Sequence, residues 1–450
     1  MSQQKQNEII SCDVAVIGGG ASGTYAAVRL KDEGKNVVVI EAQDRLGGHT
    51  ETYDDKVTGQ SHDVGVLIYC HDPLVFDYTR RLGVELVPEQ SKPVNPVYFD
   101  FSQGKLLNDY QPVKDDMAME RWVREIAQYP FLEDGGLDTI PEDVPEDLLL
   151  PLGEFLEKHD IGDPAFLHHD NYQGVGDALK QTTLYVAKLM NRRTFEWIAK
   201  GFVRSAQGRN SEIYEKALEL LGDSVLLESR AISADRSGSK PRITVQTPAG
   251  VKVIEAQKLL ITIPLVPENL QWLDLSVEES ELFSKLKANA YYTGIMRNTG
   301  LPGDIRINNV GEHHRYKQPK FPGAYAYKPA YIDGMVDIKY GAEEALPLEL
   351  VKANIMEDMR SLQRAGVIAS EVDVEATEFV RLVAHGPYTP MVSPEEIRNG
   401  FYKKLFALQG EKDTYYTGAA WVVQDSSILW RFTEETILPL VLANEKYSRH

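Results

Sequence analysis

The sequence predicts an α/β fold in which a dinucleotide-binding domain is interrupted by other segments of the chain. A short apolar run at residues 13–17 leads directly into a glycine-rich turn, and a helical pattern and a second apolar run, residues 36–40, follow it. The chain has 450 residues, which is more than one hydrophobic core usually supports. We therefore expect a βαβ unit at the start of a chain with more than one domain.

The glycine-rich turn has the spacing G-x-G-x-x-G immediately after the first predicted strand. Gly18 permits the tight turn out of the strand, and Gly20 lets a pyrophosphate approach the backbone. Gly23 lets the following helix pack closely against the strand. The amides at the start of this helix, around Ser22, would face the diphosphate, whose negative charge the helix dipole favours.

An acidic residue, Glu41, ends the second predicted strand. A carboxylate at this point of a βαβ unit accepts hydrogen bonds from the ribose hydroxyls and would repel a 2′-phosphate, so the sequence disfavours NADP. Strand, glycines, helix, second strand and acid occur in the order that a Rossmann-type unit requires. An ordinary structural turn would not require that order.

The residues that follow Glu41 indicate which dinucleotide cofactor the chain binds. Residues 41–49, EAQDRLGGH, resemble the E-A-x-x-R-x-G-G-[RK] signature of the flavin-containing amine oxidase superfamily, which also includes desaturases and double-bond isomerases. The resemblance implies a Rossmann-type FAD-binding domain with Gly47 and Gly48 beside the diphosphate. His49 departs from the signature, and a neutral imidazole would contact phosphate more weakly than a guanidinium.

Two later segments carry the resemblance further. It implies that Gly65 and the residues after it, including Ile68, run past the flavin ring, although Gly65 also suits a buried strand of purely structural role. It also implies that Val225, in a returning strand, hydrogen-bonds the adenine through its backbone. Residues 258–264 resemble the strand that closes this part of the superfamily's FAD-binding domain.

The C-terminal part returns to the cofactor in the same resemblance. Residues 414–421 resemble the superfamily's final strand, which implies that Gly418 contacts FAD, although Ala419 stands where relatives have Glu. Asp425 is suited to cap a helix that runs to about residue 442. The N-terminus of that helix would point at the pyrimidine end of the flavin.

The resemblance implies three segments of FAD-binding domain that alternate with a mixed-sheet substrate domain and its helical cap. The predicted FAD-binding segments are residues 10–90, 206–268 and 386–450. The predicted substrate segments are residues 91–205, with the helical cap, and residues 269–385. Apolar side chains of the cap either line a pocket or form its core.

Composition excludes several classes of function. The net charge of −19 and the pI near 5.1 argue against nucleic acid or an anionic membrane surface as a partner. Two cysteines, Cys12 and Cys70, do not form a disulfide framework, and neither is in the C-terminal segment that could carry a covalent flavin, so we expect non-covalent FAD. We expect no membrane span, no signal peptide and a cytoplasmic location. The oligomeric state is left open.

Histidine clusters do not predict a metal site. Residues 168–170, HHD, and residues 313–314, HH, lack the spacing with which one helix or strand presents ligands to a metal. We therefore predict no metal. No G-x-S-x-G motif predicts a serine hydrolase either.

The reaction is predicted from the resemblance alone. Two branches look nearest, the bacterial polyunsaturated fatty acid double-bond isomerases and the fungal dehydrogenases of the β-cyclopiazonate type. Both imply that the flavin takes a hydride from an activated C–H. An isomerase of fatty acids needs a cation for the carboxylate, and residues 87–94 offer only Lys92, so oxidation of a hydrophobic small molecule is favoured.

Other readings stay open at this point. Amine oxidation is disfavoured because the paired aromatic residues of true amine oxidases are not matched. An NAD-dependent dehydrogenase would use only the first βαβ unit, and a flavin-binding protein without turnover would explain Ala419. No side chain is identified as a catalytic acid or base.

Overall fold

The computed structural model describes residues 8–90, 92–112, 115–133, 135–163 and 173–443. Its strands, in chain order, are β1 (Glu8–Ile17), β2 (Val37–Ile40), β3 (Thr52–Asp54), β4 (Ser61–Asp63), β5 (Leu86–Pro88), β6 (Asn95–Asp100), β7 (Lys105–Leu106), β8 (Val203–Ser205), β9 (Val225–Leu226), β10 (Arg230–Asp235), β11 (Arg242–Thr247), β12 (Gly250–Ile261), β13 (Lys287–Ala288), β14 (Ala290–Arg297), β15 (Ile305–Asn309), β16 (Gly323–Pro329), β17 (Met335–Ala342), β18 (Glu378–His385), β19 (Pro390–Met391) and β20 (Thr414–Tyr416). The α-helices are α1 (Ala21–Asp32), α2 (Pro73–Arg81), α3 (Asp116–Ile126), α4 (Glu146–Leu149), α5 (Leu152–Lys158), α6 (Thr183–Leu189), α7 (Arg192–Ala199), α8 (Ser211–Leu221), α9 (Val277–Ser284), α10 (Leu348–Arg364), α11 (Pro394–Arg398), α12 (Phe401–Ala407), α13 (Ser426–Phe432) and α14 (Leu438–Leu442).

The first large sheet has the strand order β10-β11-β12-β1-β2-β9. Strands β12, β1, β2 and β9 run parallel, while β10 and β11 form an antiparallel edge. All four residues of β2 are buried, as expected for a parallel strand that is covered on both faces. The predicted βαβ unit is confirmed as β1, α1 and β2.

Strand β12 has two different partners along one edge. Its first half pairs with β11, and Leu259, Leu260 and Ile261 pair with β20 from the far end of the chain. The sequence indicates a closing strand at residues 258–264, but the observed strand begins earlier, at Gly250, and ends at Ile261. The structure has one strand of 12 residues because β1 pairs with almost its whole length.

The second large sheet has the strand order β18-β14-β17-β16-β15-β6-β7. It is mixed, since β15 runs parallel to β6 and antiparallel to β16. Helix α10 packs its apolar residues Val351, Ile355 and Met359 into the core of this sheet. Two separate stretches of chain therefore build the sheet, as predicted for the substrate domain, while the exact domain boundaries stay a prediction.

The C-terminal helices pack against the glycine-rich turn. The Asp425 carboxylate accepts hydrogen bonds from the amides of Ser427 (2.8 Å) and Ile428 (3.1 Å), which confirms the predicted cap. Trp430 donates from its indole nitrogen to the carbonyl of Ala21 at 3.1 Å. The last segment of the fold thus holds the first turn in place. Among the described residues, no helix combines the length and apolarity needed to cross a membrane.

Candidate active site

A cleft opens at the carboxyl ends of the parallel strands β1, β2, β12 and β20. This is where ligands bind in open α/β sheets. The predicted cofactor-binding residues that line the cleft are Gly18, Gly20, Ser22, Glu41, Gly47, Gly48, His49 and Gly418. Gly418 lies more than 360 residues after His49 in the sequence, so the fold brings the two ends of the chain to one site.

The first turn of α1 presents its free amide N–H groups to this cleft. Gly20 is the N-cap of the helix, and no described side chain caps it. A Cβ built on Gly20 would meet nothing closer than the Cα of Gly48, at 3.9 Å. The open space beside these amides fits an anionic group such as the FAD diphosphate.

Gly18 and Gly23 are required by the packing of the turn. A Cβ on Gly23 would lie 2.0 Å from the carbonyl oxygen of Gly18, a contact that no side chain tolerates. Gly18 itself has φ +102°, a backbone conformation that favours glycine. Gly23 does not line the cleft, and its close packing of helix on strand is the role that the sequence predicts for it.

Glu41 stabilises the glycine-rich turn by hydrogen bonds to its backbone. Its carboxylate accepts hydrogen bonds from the amides of Gly19 (2.6 Å) and Gln43 (2.7 Å), and the side chain is buried. The predicted contact with ribose hydroxyls would add to these bonds and stays a prediction. The sequence did not indicate that Glu41 also holds the glycine-rich turn.

Replacing Glu41 with Gln is expected to weaken FAD binding about tenfold, because an amide cannot accept from both Gly19 and Gln43 and leaves a buried donor unpaired. Titration of the FAD-free protein with FAD, followed by flavin fluorescence, measures the effect. Asp32→Asn is the control, since Asp32 is an acidic residue at the outer end of α1. Equal FAD affinity in wild type and Glu41→Gln would contradict the assignment.

The Gly47-Gly48 turn is closed by bonds within the chain. Gly47 donates to the carbonyl of Gly19 at 2.7 Å. The Arg45 guanidinium donates to the carbonyls of Thr50 (2.8 Å) and Gly48 (3.0 Å). Arg45 is therefore used to hold the turn, and it does not line the cleft.

His49 exposes its ring to the cleft between this turn and the second sheet. The ring centroid lies 4.8 Å from that of His385 and 5.8 Å from that of Tyr388. The surrounding protein, and secondarily Arg45, lower the pKa of His49 to about 4, so the imidazole is neutral at physiological pH. No motif in the sequence points to His385 or Tyr388, because these residues lie more than 300 positions from His49.

Three other predicted residues do not line the cleft. A Cβ on Gly65 would lie 1.8 Å from the carbonyl oxygen of His49, so Gly65 permits a close approach of two backbone segments. Ile68 is half-buried, and Val225, in β9, pairs with Val39 of β2. Direct contact of Gly65, Ile68 and Val225 with FAD stays a prediction.

The described residues include no group of three or more His, Cys, Asp or Glu side chains that could hold a metal ion. His314 donates through Nδ1 to the carbonyl of Gln318 at 2.9 Å, and His313 lies at the surface. The other histidine cluster, residues 168–170, lies outside the described residues.

Comparison with known proteins identifies the family. Residues 16–82 match the NAD(P)-binding Rossmann-like domain. The FAD-dependent oxidoreductase oblC of Cochliobolus heterostrophus is 37% identical over 449 residues, which covers 97% of this chain and 92% of that protein. The chain belongs to this family of FAD-dependent oxidoreductases. Beta-cyclopiazonate dehydrogenase of Aspergillus flavus is 35% identical over 433 residues, covering 96% of this oxidoreductase and 93% of the dehydrogenase.

Solved structures show the same fold at low identity. The CLA-producing fatty acid isomerase from P. acnes superposes with a TM-score of 0.74 at 19% identity, covering 95% of this chain and 98% of the isomerase. Putrescine oxidase bound to putrescine superposes with a TM-score of 0.66 at 18% identity, covering 96% of this chain and all of the oxidase. The predicted α/β fold of the amine oxidase type is therefore confirmed. The sequence relatives confirm the prediction that this chain is an FAD-dependent oxidoreductase.

Proposed function

We propose that this oxidoreductase takes a hydride from an activated C–H of a hydrophobic small molecule, using non-covalently bound FAD. The observation that supports it is the chemistry of the cleft. Among the described residues that line it, Glu41 is the only Asp, Glu, Lys or Arg, and its carboxylate already accepts hydrogen bonds from two backbone amides. The remaining lining includes the apolar residues Ile263, Leu265 and Leu429. Such a lining suits a neutral, lipophilic substrate.

The positions of the two cysteines support non-covalent attachment of FAD. Cys12 and Cys70 are both buried, and neither lines the cleft. Burial also raises the pKa of both thiols, so each is held in its unreactive form. We therefore expect FAD to dissociate intact from the unfolded protein.

Different residues of the cleft would contact different parts of the FAD. The FAD, when bound, supplies the acceptor for the hydride. The amides at the start of α1 would hold its diphosphate, and Glu41 keeps that turn in shape. The N-terminus of α13 also borders the cleft through Ser426, but Asp425 already accepts from its first free amides. We therefore expect the dipole of α13 to stabilise reduced flavin less than an uncapped helix would.

Redox-neutral isomerisation of an unsaturated fatty acid is the alternative that the fold also allows. Lys92, the predicted candidate for a carboxylate partner, pairs with Asp333 at the surface, 3.0 Å away, and lies outside the cleft. A buried cation that the sequence did not reveal, Arg204, is shared between Asp63 (3.4 Å) and Glu89 (3.6 Å). Neither cation favours a carboxylate substrate in the cleft.

The test begins with the spectrum of purified protein. We expect a yellow protein whose flavin passes entirely into the filtrate after denaturation and ultrafiltration. Anaerobic incubation with fractionated metabolite extracts should then bleach the flavin and yield a product lighter by two hydrogens. A product of unchanged mass and altered retention would instead establish isomerisation, and a colourless protein that binds no added FAD would overturn the proposal.

A further inference from the structure

Dehydrogenation releases one proton for each hydride that the flavin accepts. A substrate of the form H–C–X–H loses the C–H electron pair with its hydrogen as hydride, and the X–H electron pair becomes the new π bond. The proton from X must pass to a base in or near the cleft. The described lining of the cleft contains three titratable side chains, Glu41, His49 and Tyr388.

Two of the three are unsuited to accept that proton. Both carboxylate oxygens of Glu41 already accept backbone hydrogen bonds, and the side chain is 7% exposed. Burial, reinforced by the nearby Asp425, raises the pKa of Tyr388, so this phenol keeps its own proton at neutral pH. His49 is left as the candidate.

The structure holds the His49 ring in a defined place with its nitrogens available. Within the described chain, neither ring nitrogen has a hydrogen-bond partner, and the ring is exposed to the cleft. Its neighbour His385 is buried and fixed by Thr293 Oγ1 (2.9 Å) and the carbonyl of Val64 (3.3 Å), both contacts through Nε2. Gly65 lets the adjoining segment approach the His49 backbone.

We propose that His49 is the catalytic base that accepts the substrate proton, and that His385 is a positioning residue that holds the His49 ring toward the cleft. This inference rests on the proposed function of the same site. It also accounts for the absence at residue 49 of the Arg that the superfamily signature allows, because a guanidinium stays protonated and cannot accept a proton.

The charged and titratable groups around His49 leave it as a free base. Arg45 faces it but is paired with Glu51 at 3.0 Å. Burial, and then His49 itself, lower the pKa of His385, so the two imidazoles are both neutral, and Tyr388 is uncharged. The negative charge of a bound diphosphate favours the imidazolium and would raise the pKa of His49 from about 4 toward the range in which a base is most effective.

The test compares two hydride donors on the same holoenzyme under anaerobic conditions. Indoline gives a hydride from C2 and a proton from nitrogen, forming 3H-indole, which then tautomerises to indole. N-benzyl-1,4-dihydronicotinamide gives a hydride and releases no proton. Replacement of His49 by Gln should slow flavin reduction by indoline at least ~100-fold and slow reduction by the nicotinamide donor at least ~10-fold less than that.

Further variants separate a base from a phosphate ligand. His49→Arg should bind FAD at least as tightly as wild type and should lose flavin reduction by indoline. If His49 only bound phosphate, the Arg variant would both bind FAD and be reduced by indoline. His385→Gln should slow the indoline reaction about tenfold with unchanged flavin content, and the exposed His313→Gln should change neither rate. Unchanged indoline reduction in His49→Gln, or equal slowing of both donors, would overturn the inference.

An independent readout does not require turnover. In holoenzyme labelled with ¹³C-histidine, the signal lost in His49→Gln should titrate with a pKa at least one unit above 4. This measurement decides the question if indoline does not reduce the wild-type flavin, and a His49 signal that stays neutral down to pH 4 would overturn the inference. Reduction by the nicotinamide donor would uphold the proposed function in either case, while absence of bound FAD would refute that function separately.

Discussion

Replacement of Gly23 by Ala is expected to abolish FAD binding and to lower the free energy of unfolding by about 3 kcal/mol. The added methyl group would lie 2.0 Å from the carbonyl oxygen of Gly18 and 2.7 Å from Thr262 Oγ1. The first contact is with backbone, so helix α1 must move away from β1 and the glycine-rich turn must change shape. Chemical denaturation and the flavin content of the purified variant measure the two effects.

Gly20→Ala is the matched control, since it adds the same methyl group three residues earlier. The nearest atom to that methyl would be the Cα of Gly48, at 3.9 Å, and Gly20 has φ −75°, which any residue adopts. We expect the free energy of unfolding to change by less than about 1 kcal/mol, as for other N-cap replacements, and FAD binding to weaken strongly. If Gly23→Ala bound FAD normally, or if Gly20→Ala failed to fold, the roles assigned to the two glycines would be wrong.

Replacement of Arg236 by Met is expected to lower the free energy of unfolding by about 3–5 kcal/mol, because it leaves a buried carboxylate unpaired. The Arg236 side chain is fully buried and bonds Asp274 at 2.7 Å and both oxygens of Glu279, at 2.7 and 2.8 Å. Tyr416 in β20 donates to the same carboxylate of Glu279. The cluster joins β10, α9 and the last strand, so we expect the variant to lose thermal stability throughout the first sheet.

The same cluster makes stability depend on pH. Burial opposes the charge of Glu279, but hydrogen bonds from Arg236 and Tyr416 outweigh it and lower the pKa to about 2 from 4.5. The stabilisation is therefore present above pH 4.5 and is lost as pH falls from 4.5 toward 2. The double variant Arg236→Met with Glu279→Gln should recover part of the lost stability and show a weaker pH dependence over this interval. Identical acid denaturation of wild type and double variant would contradict this.

Elements with strong local signals were predicted well from the sequence. The regular apolar period of residues 348–364, with Gly366 after it, predicts a helix, and the helix of the structure has these bounds, Leu348–Arg364. The sequence likewise predicts the turn at residues 18–23, in which the backbone conformation of Gly18 and the close packing at Gly23 require glycine. By contrast, the sequence also predicts a helix over residues 280–289, and this prediction is wrong: the helix begins at Val277, directly after its N-cap Ser276, and ends at Ser284. Residues 287–288 pair instead with β19, more than 100 residues away.

The site was predictable only where its residues follow one another in the chain. Gly18 to His49 form one motif, and Gly418 was found through resemblance. His385 and Tyr388 carry no local signature, and their position beside His49 depends on how β18 is placed in the second sheet. The Arg236 cluster was missed for the same reason, since Asp274 and Glu279 lie about 40 residues after the arginine.

The long strand β12 sets an order for assembly on the ribosome. Its second half must wait for β20, which is synthesised about 150 residues later, and the helix that braces Ala21 through Trp430 comes later still. Until then the nascent βαβ unit has an unpaired sheet edge and an open nucleotide cradle. We therefore expect FAD to bind late in synthesis, so that a nascent chain stalled before residue 430 retains no flavin.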